Sequence, residues 1–218
     1  SKGIHLWLKQ ESLPIKEAMV LQTNDGRIIF VIPQRNTILV GTTETPIPAE
    51  ENILNIKATS DEVNYLISVV NDYFPHHTIT NEDVLSSFAA VRPLVKSKAS
   101  SSKTSRLHKV FSPQKNMYVL IGGKYTTFRK MAEDLNKTIF KNLGIKHDKT
   151  LTLQPLKTTS IVKNPFELKI DKEVILKILK EEHVRTKADL IERRLSLPSL
   201  SHYNDLELLK ILEEIELE

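Results

Sequence analysis

Apolar positions change period along this chain, and each change marks an element. Gly3 to Lys9 (Gly-Ile-His-Leu-Trp-Leu-Lys) reads as a strand. Ala18–Thr23 and Arg27–Ile32 are apolar runs flanking Asn24-Asp25-Gly26, residue types that tolerate the positive φ of a tight hairpin turn. Thr37–Gly41 follows a second turn at Pro33-Gln34-Arg35-Asn36 and makes a third strand of the same meander. Ile28 to Ile32 is apolar at every position, which predicts a central strand covered on both faces. The period then becomes helical. Thr59-Ser60-Asp61-Glu62 is a capping box opening a helix that turns Val63, Leu66, Ile67, Val70 and Phe74 inward and stops at Pro75. Tyr118-Val119-Leu120-Ile121 is a short apolar run that predicts a buried strand. From Thr127 the spacing is helical again, with Phe128, Met131, Ala132, Leu135, Ile139 and Leu143 on one face. Thr126 or Thr127 is the expected N-cap and Gly144 the expected stop.

Beyond Gly144 the character changes. Lys146 to Pro165 is polar and broken, and helices recur after it. Lys172–Glu182 carries Val174, Ile175, Ile178 and Leu179 on one side. Thr186-Lys187-Ala188-Asp189 opens a second helix through Leu195, and Asn204 caps a third with Leu208, Ile211, Leu212 and Ile215 aligned. The fold class that follows is α+β: a mostly antiparallel sheet with helices on one side, a strand–helix arm, and a small helical C-terminal domain. In residue ranges these are 1–110, 111–144 and 145–218.

Composition narrows the function classes. Of 218 residues, 40% are hydrophobic and 27% charged, enough for one large or two small soluble domains. Lys plus Arg exceed Asp plus Glu by 31 − 27 = 4, a mild excess suited to anionic ligands, phosphorylated metabolites or an anionic membrane face. It is too small to argue for nucleic acid. The absence of cysteine excludes disulfides, thiolate catalysis and Cys-ligated metal. No apolar run approaches the ~18 residues of a membrane-spanning helix, and no signal peptide is visible. No Gly-x-Gly-x-x-Gly follows an early strand, so these residues hold no dinucleotide-binding half. The chain opens at Ser1-Lys2-Gly3, and the expectation is the C-terminal part of a longer enzyme.

Candidate chemistry gathers in three places. Gly122-Gly123 joins a strand to a helix start, where free amides and the helix dipole suit an anion or a polarised oxygen. An ordinary strand-to-helix turn has the same outline. Arg92 lies among apolar residues before Pro93, which biases it to an extended conformation; an Arg held this way needs an anionic partner, and its planar fork fits a phosphate. His5 is a lone histidine near a strand start, a type more often structural than catalytic. His76-His77 reads as a solvated turn, since adjacent residues seldom converge on one ion, and no metal site is expected. Lys96 to Lys109 is a basic, Ser-rich loop without the aromatic platforms that nucleic acid needs.

The run Gly122-Gly123-Lys124-Tyr125-Thr126-Thr127-Phe128-Arg129-Lys130-Met131-Ala132-Glu133-Asp134 closely resembles a signature of FAD-dependent (aerobic, quinone-linked) glycerol-3-phosphate dehydrogenases. Lys2-Gly3-Ile4-His5, Asp25 to Pro33, Leu39 to Thr43, Val91-Arg92-Pro93-Leu94 and Ser105-Arg106 also resemble that family. Glu44 stands where Asp is common there, and Phe88 where Trp is common. Arg193-Arg194 resembles a double-Arg motif of the family's helical domain, although a solvated helix face explains it nearly as well. The resemblance implies oxidation of sn-glycerol 3-phosphate to dihydroxyacetone phosphate, with hydride transfer to FAD and electrons passed to quinone. It implies His5 as catalytic base, and Arg92, Arg106 and Lys124 as substrate ligands. Gly122, Gly123, Lys124, Tyr125, Thr126 and Thr127 would then lie at the flavin, with Gly41-Thr42-Thr43 as scaffold able to line the pocket. The setting implied is cytoplasmic or peripheral on the inner membrane face, with oligomeric state left open. Two other enzyme readings share the outline: an oxidase using dioxygen on the same substrate, and an amine or amino-acid oxidase. From another class, a non-catalytic anion- or phospholipid-binding module fits the charge. FAD is expected to belong to the complete enzyme and not to be retained by these residues alone.

Overall fold

The computed structural model describes residues 1–34, 36–95, 107–146, 148, 150, 153–155, 172–196, 210 and 213–214. The chain divides into two compact units that interleave in sequence. One takes 1–2, 44–54 and 91–160, and the other takes 3–43, 55–90 and 161–218.

The larger unit is built on a five-stranded sheet. Its strands are β1 (Lys2–Lys9), β2 (Met19–Gln22), β3 (Ile28–Gln34), β4 (Thr37–Gly41) and β5 (Val84–Val91), in the order β2-β3-β4-β1-β5. The pairings β2–β3, β3–β4 and β1–β4 are antiparallel. The first turn forms where Asn24-Asp25-Gly26 predicts it. Gly26 takes φ 81°, its amide donates to the Thr23 carbonyl at 2.9 Å, and the Thr23 amide donates to the Arg27 carbonyl at 2.9 Å. The α+β class with an antiparallel sheet is as the sequence predicts.

Alternation along the strands separates two faces. Ile4, Leu6, Leu8, Leu21, Ile29, Val31, Ile38 and Val40 point to one face, where Leu66, Ile67, Val69 and Val70 of α1 (Ser60–Tyr73) close the core. The predicted capping box is present. The Thr59 hydroxyl accepts from the Glu62 amide at 3.3 Å, and the Glu62 carboxylate accepts from the Thr59 amide at 3.0 Å. One expectation fails. Ile28 and Phe30 of the central strand are 42% and 45% exposed, so this strand is not covered on both faces. The helix packs on one side only, and the apolar run says nothing about how many layers are available to cover it. Leu6 is fully buried at the sheet's centre, opposite Val40. Leu6→Ala is expected to destabilise the unit by about 2–5 kcal/mol, the cost of lost transfer energy plus a cavity, read as a lower urea midpoint at unchanged slope.

The other unit corrects the expectation for the arm. Tyr118 to Ile121 lies in β7 (Met117–Gly122), which pairs antiparallel with an unforeseen strand, β6 (His108–Gln114). The hairpin turns at Asn116, which takes φ 61°, a conformation Asn tolerates better than most residues. With one neighbouring strand and one helix, β7 is half-buried and not buried; Ile121 is 37% exposed. The helix α2 (Phe128–Leu143) ends as predicted on Gly144, in left-handed conformation at φ 68°. Its start differs. A single 3₁₀ turn, Tyr125–Thr127, precedes it, and neither Thr126 nor Thr127 caps it with a side-chain bond. Met131, Leu135 and Ile139 of the predicted inward face are half-buried. Phe128 and Leu143 remain 65% and 57% exposed, and Ala132 is exposed too.

Two helical pieces follow in the larger unit. α3 (Lys172–Glu181) buries Ile175, and a wide helical turn, Asp189–Arg194, buries Leu190. Thr186 and Asp189 cap that turn reciprocally: the Thr186 hydroxyl accepts from the Asp189 amide at 3.1 Å, and the Asp189 carboxylate accepts from the Thr186 amide at 3.0 Å. Arg193 and Arg194 have structural partners, Asp189 at 2.9 Å and Glu182 at 2.9 Å. The third predicted helix, with Asn204, Leu208, Ile211, Leu212 and Ile215, lies outside the described residues.

Candidate functional site

His5 sits on the face of the sheet opposite the α1 core, half-buried, with its Nδ1 shielded from solvent. The register places it directly across from Gly41, and Gly41 in turn lies across from Phe30, whose neighbour is Val20. The imidazole lies over Gly41. A Cβ built there would overlap the ring, with Cγ at 2.6 Å and Nε2 at 2.8 Å. On β5, Phe88 stacks on the same imidazole, with centroids 5.0 Å apart and planes 8° from parallel. Gly41 and Phe88 are therefore the seat of His5. No sequence signal marks Phe88 as its partner, because that contact depends on which strand neighbours β1. Thr43 is 2% exposed and its hydroxyl accepts from the Ile4 amide at 3.1 Å, a structural role.

Arg92 directly follows β5 and belongs to the other unit. Its amide donates to the Ser1 carbonyl at 2.8 Å. The side chain is half-buried, with Nη1 shielded from solvent. Arg106 and Ser105 lie outside the described residues, as does the predicted basic loop from Lys96 up to them; its last two residues, His108 and Lys109, are not loop but open β6, paired with Gly122 and Ile121. No geometry therefore joins Arg106 to Arg92.

The Gly122–Thr127 turn belongs to the same unit as Arg92. Gly122 and Gly123 have φ of 77° and 88°, a region that favours glycine. What approaches them closely is the protein itself. A Cβ on Gly122 would stand 2.6 Å from the Leu107 carbonyl oxygen and 3.0 Å from Val95, and one on Gly123 would overlap the Met131 thioether. After them, Thr127 folds the turn back on Lys124. Its hydroxyl accepts from the Lys124 amide at 3.2 Å and donates to the Lys124 carbonyl at 3.0 Å. Lys124, Tyr125 and Thr126 are exposed, Tyr125 at 92%, with its ring 6.4 Å from that of Phe128. The amides of Tyr125 and Thr126 come first in the turn and have no acceptor within it. They form an exposed donor edge at the positive end of α2.

Elsewhere, a groove of ≈ 660 Å³ beside the β2–β3 turn is lined by Gln22, Asp25, Tyr65, Asp72 and neighbours, and shares no residue with the predicted set. Among the described residues no His, Asp or Glu cluster is arranged to hold a metal, and none of the helices is long and apolar enough to cross a membrane. Of the pair read as a solvated turn, His76 is exposed and His77 half-buried.

Residues 1–128 match the FAD-dependent oxidoreductase family, and the chain belongs to it. The matched span contains β1 through β7 and the turn before α2, hence His5, Arg92 and Gly122–Thr127. More particularly, the chain is similar to the aerobic glycerol-3-phosphate dehydrogenase of Bacillus subtilis (strain 168), 36% identical over 136 residues, 62% of this chain and 24% of that protein. It is 34% identical over 164 residues to the protein of the same name from Staphylococcus aureus (strain USA300), covering 74% of this chain and 28% of that one. Among solved structures it resembles the glycerol-3-phosphate dehydrogenase from Bacillus halodurans complexed with FAD. There the TM-score is 0.58 with 30% identity, across 67% of this chain and 27% of the other. The chain thus spans about a quarter of the length of these relatives.

Proposed function

We propose that this chain is the substrate-facing part of a flavoenzyme that oxidises sn-glycerol 3-phosphate to dihydroxyacetone phosphate and passes electrons to quinone. The observation that carries it is the exposed turn at Lys124–Thr127, heading α2 inside a span that matches an FAD-dependent family and is similar to dehydrogenases of this substrate. The turn's chemistry fits the cofactor. Its leading amides can donate to the carbonyl and nitrogen acceptors on the pyrimidine side of an isoalloxazine, and Lys124 adds a positive charge beside them. FAD, when bound, supplies the hydride acceptor. His5, held flat between Gly41 and Phe88, takes the proton from the hydroxyl of the carbon being oxidised. Arg92 and Arg106 hold the phosphate, since a dianion is better neutralised by two cations than by one. In functional terms, the five-stranded sheet with α1 is the substrate-binding cap, and the β6–β7 hairpin with α2 is the arm that closes the FAD domain. Work at the inner membrane face follows from a quinone acceptor, with the +4 charge favouring an anionic surface.

The clamp provides the test. With a dinucleotide-binding domain of the family supplied upstream, Arg92→Ala and Arg106→Ala are each expected to cost roughly 2–4 kcal/mol in kcat/KM for glycerol 3-phosphate. Glycerol, which lacks the phosphate, should be nearly indifferent to either change. Equal losses on both substrates would make the arginines structural and overturn the substrate assignment.

A further inference from the structure

We propose that His108 is a positioning residue for the Lys124–Thr127 turn, acting through Asp134 to fix the direction of α2. The inference rests on the flavin reading of that turn; it adds His108, which lies outside the Gly122–Asp134 run, and gives Asp134, the last residue of that run, a role the resemblance does not assign. His108 opens β6 directly opposite Gly122, the last residue of β7, so it stands where the hairpin hands over to the turn. Its Nε2 lies 2.8 Å from Asp134 Oδ2, in the second turn of α2. The carboxyl of Asp134 is held below the usual carboxylate range by the Lys130 ammonium and then by His108 itself, so it is an anion near neutral pH. An anion only accepts, and Nε2–H is therefore the donor. The Lys130 ammonium donates to the other oxygen at 2.6 Å.

Two attachments now tie the start of α2 to one hairpin. Met131 packs its thioether on Gly123, and Asp134, three residues on and on the same face, bonds to His108. The first contact is soft, because a methionine side chain is unbranched and adapts to its surroundings. The second is directional, and at 18% exposure the imidazole is largely out of water, which sets it apart from an exposed ion pair. Lys130, 63% exposed, is such an exposed pair. With both anchors in place the helix cannot roll on the hairpin, and the amides of Tyr125 and Thr126 keep one heading. A displacement of about 1 Å at such a donor edge is enough to spoil alignment with a ligand.

Amide exchange in the 218-residue chain tests the bond. The amide of Thr127 donates to the Lys124 carbonyl at 3.0 Å, and that of Phe128 to the Tyr125 carbonyl, so both report the turn. His108→Ala and Asp134→Ala are each expected to speed exchange at these two amides by about tenfold, with no further gain when combined. His108→Gln, whose amide nitrogen reaches the position of Nε2, should restore slow exchange; Lys130→Ala should leave it unchanged. In the enzyme completed with a family FAD domain, His108→Ala should raise the FAD dissociation constant by about tenfold and His108→Gln should recover it. Exchange unaltered by His108→Ala, or a Gln variant as fast as the Ala variant, overturns the proposal. Gly123→Ala judges the flavin reading separately. If it displaces Met131 yet leaves FAD affinity unchanged, the turn is not a flavin contact, whatever the exchange rates show about His108.

Discussion

Gly41→Ala is expected to remove most turnover of the completed enzyme, about 10²–10⁴-fold in kcat, while leaving the sheet folded. The φ of Gly41 is outside the positive range that favours glycine, so its backbone accepts an alanine at the end of β4, paired on both sides by β1 and β3. What cannot accept it is the imidazole of His5. The new methyl would occupy the space of the ring, whose Cγ and Nε2 stand 2.6 and 2.8 Å from the Cβ position. A histidine ring on a short stem must rotate about its first side-chain bond to escape, and rotation breaks the parallel stack on Phe88. The proposed base is then present in sequence and absent from its place. Gly26→Ala is the control. At φ 81° it strains the hairpin turn but meets nothing within 4 Å, so it should lower the melting temperature and spare kcat. Wild-type turnover in Gly41→Ala would show that His5 is not the base.

The purified 218-residue chain is expected to be colourless, and added FAD should not confer oxidation of glycerol 3-phosphate. FAD is held in enzymes of this kind chiefly by its pyrophosphate on a glycine-rich turn and its ribose on an acidic residue, and the sequence offers no Gly-x-Gly-x-x-Gly for that purpose. The contacts proposed for this chain come from the Gly123–Thr127 turn, at the edge of a large ligand. A few backbone hydrogen bonds at ~1 kcal/mol each do not offset the roughly 4–15 kcal/mol lost in immobilising a ligand. Weak binding of glycerol 3-phosphate is still expected if Arg92 and Arg106 form the proposed clamp. Absorption near the flavin bands and dye reduction are the measurements. A yellow preparation that reduces the dye would place the cofactor's main contacts within these residues and overturn this account of the FAD site.

The features legible along the chain are those written in short-range rules. Asn24-Asp25-Gly26 specified a hairpin because only a few residues accept its backbone angles, and the Thr59–Glu62 box opened α1 because both partners lie within one turn. Gly144 closed α2 for the same reason. The family signature at Gly122–Asp134 was equally legible, being one continuous run. Tertiary structure decided whatever joins residues distant in sequence. Ile28 and Phe30 are apolar but partly exposed because the α1 core lies on the other face of their sheet. Tyr118–Ile121 predicts a buried strand but not its hairpin partner β6, because the Lys115-Asn116 turn between them lacks the usual glycine; Asn116 takes the positive φ instead. Gly41 became the floor under His5 through strand register, and Phe88 its stacking partner through strand order. His108 and Asp134 lie 26 residues apart and meet only once β6, β7 and α2 have packed. Local periodicity fixes which residues form an element, but register and layer count come from the packing of elements on one another, and those decided which side chains surround the candidate site.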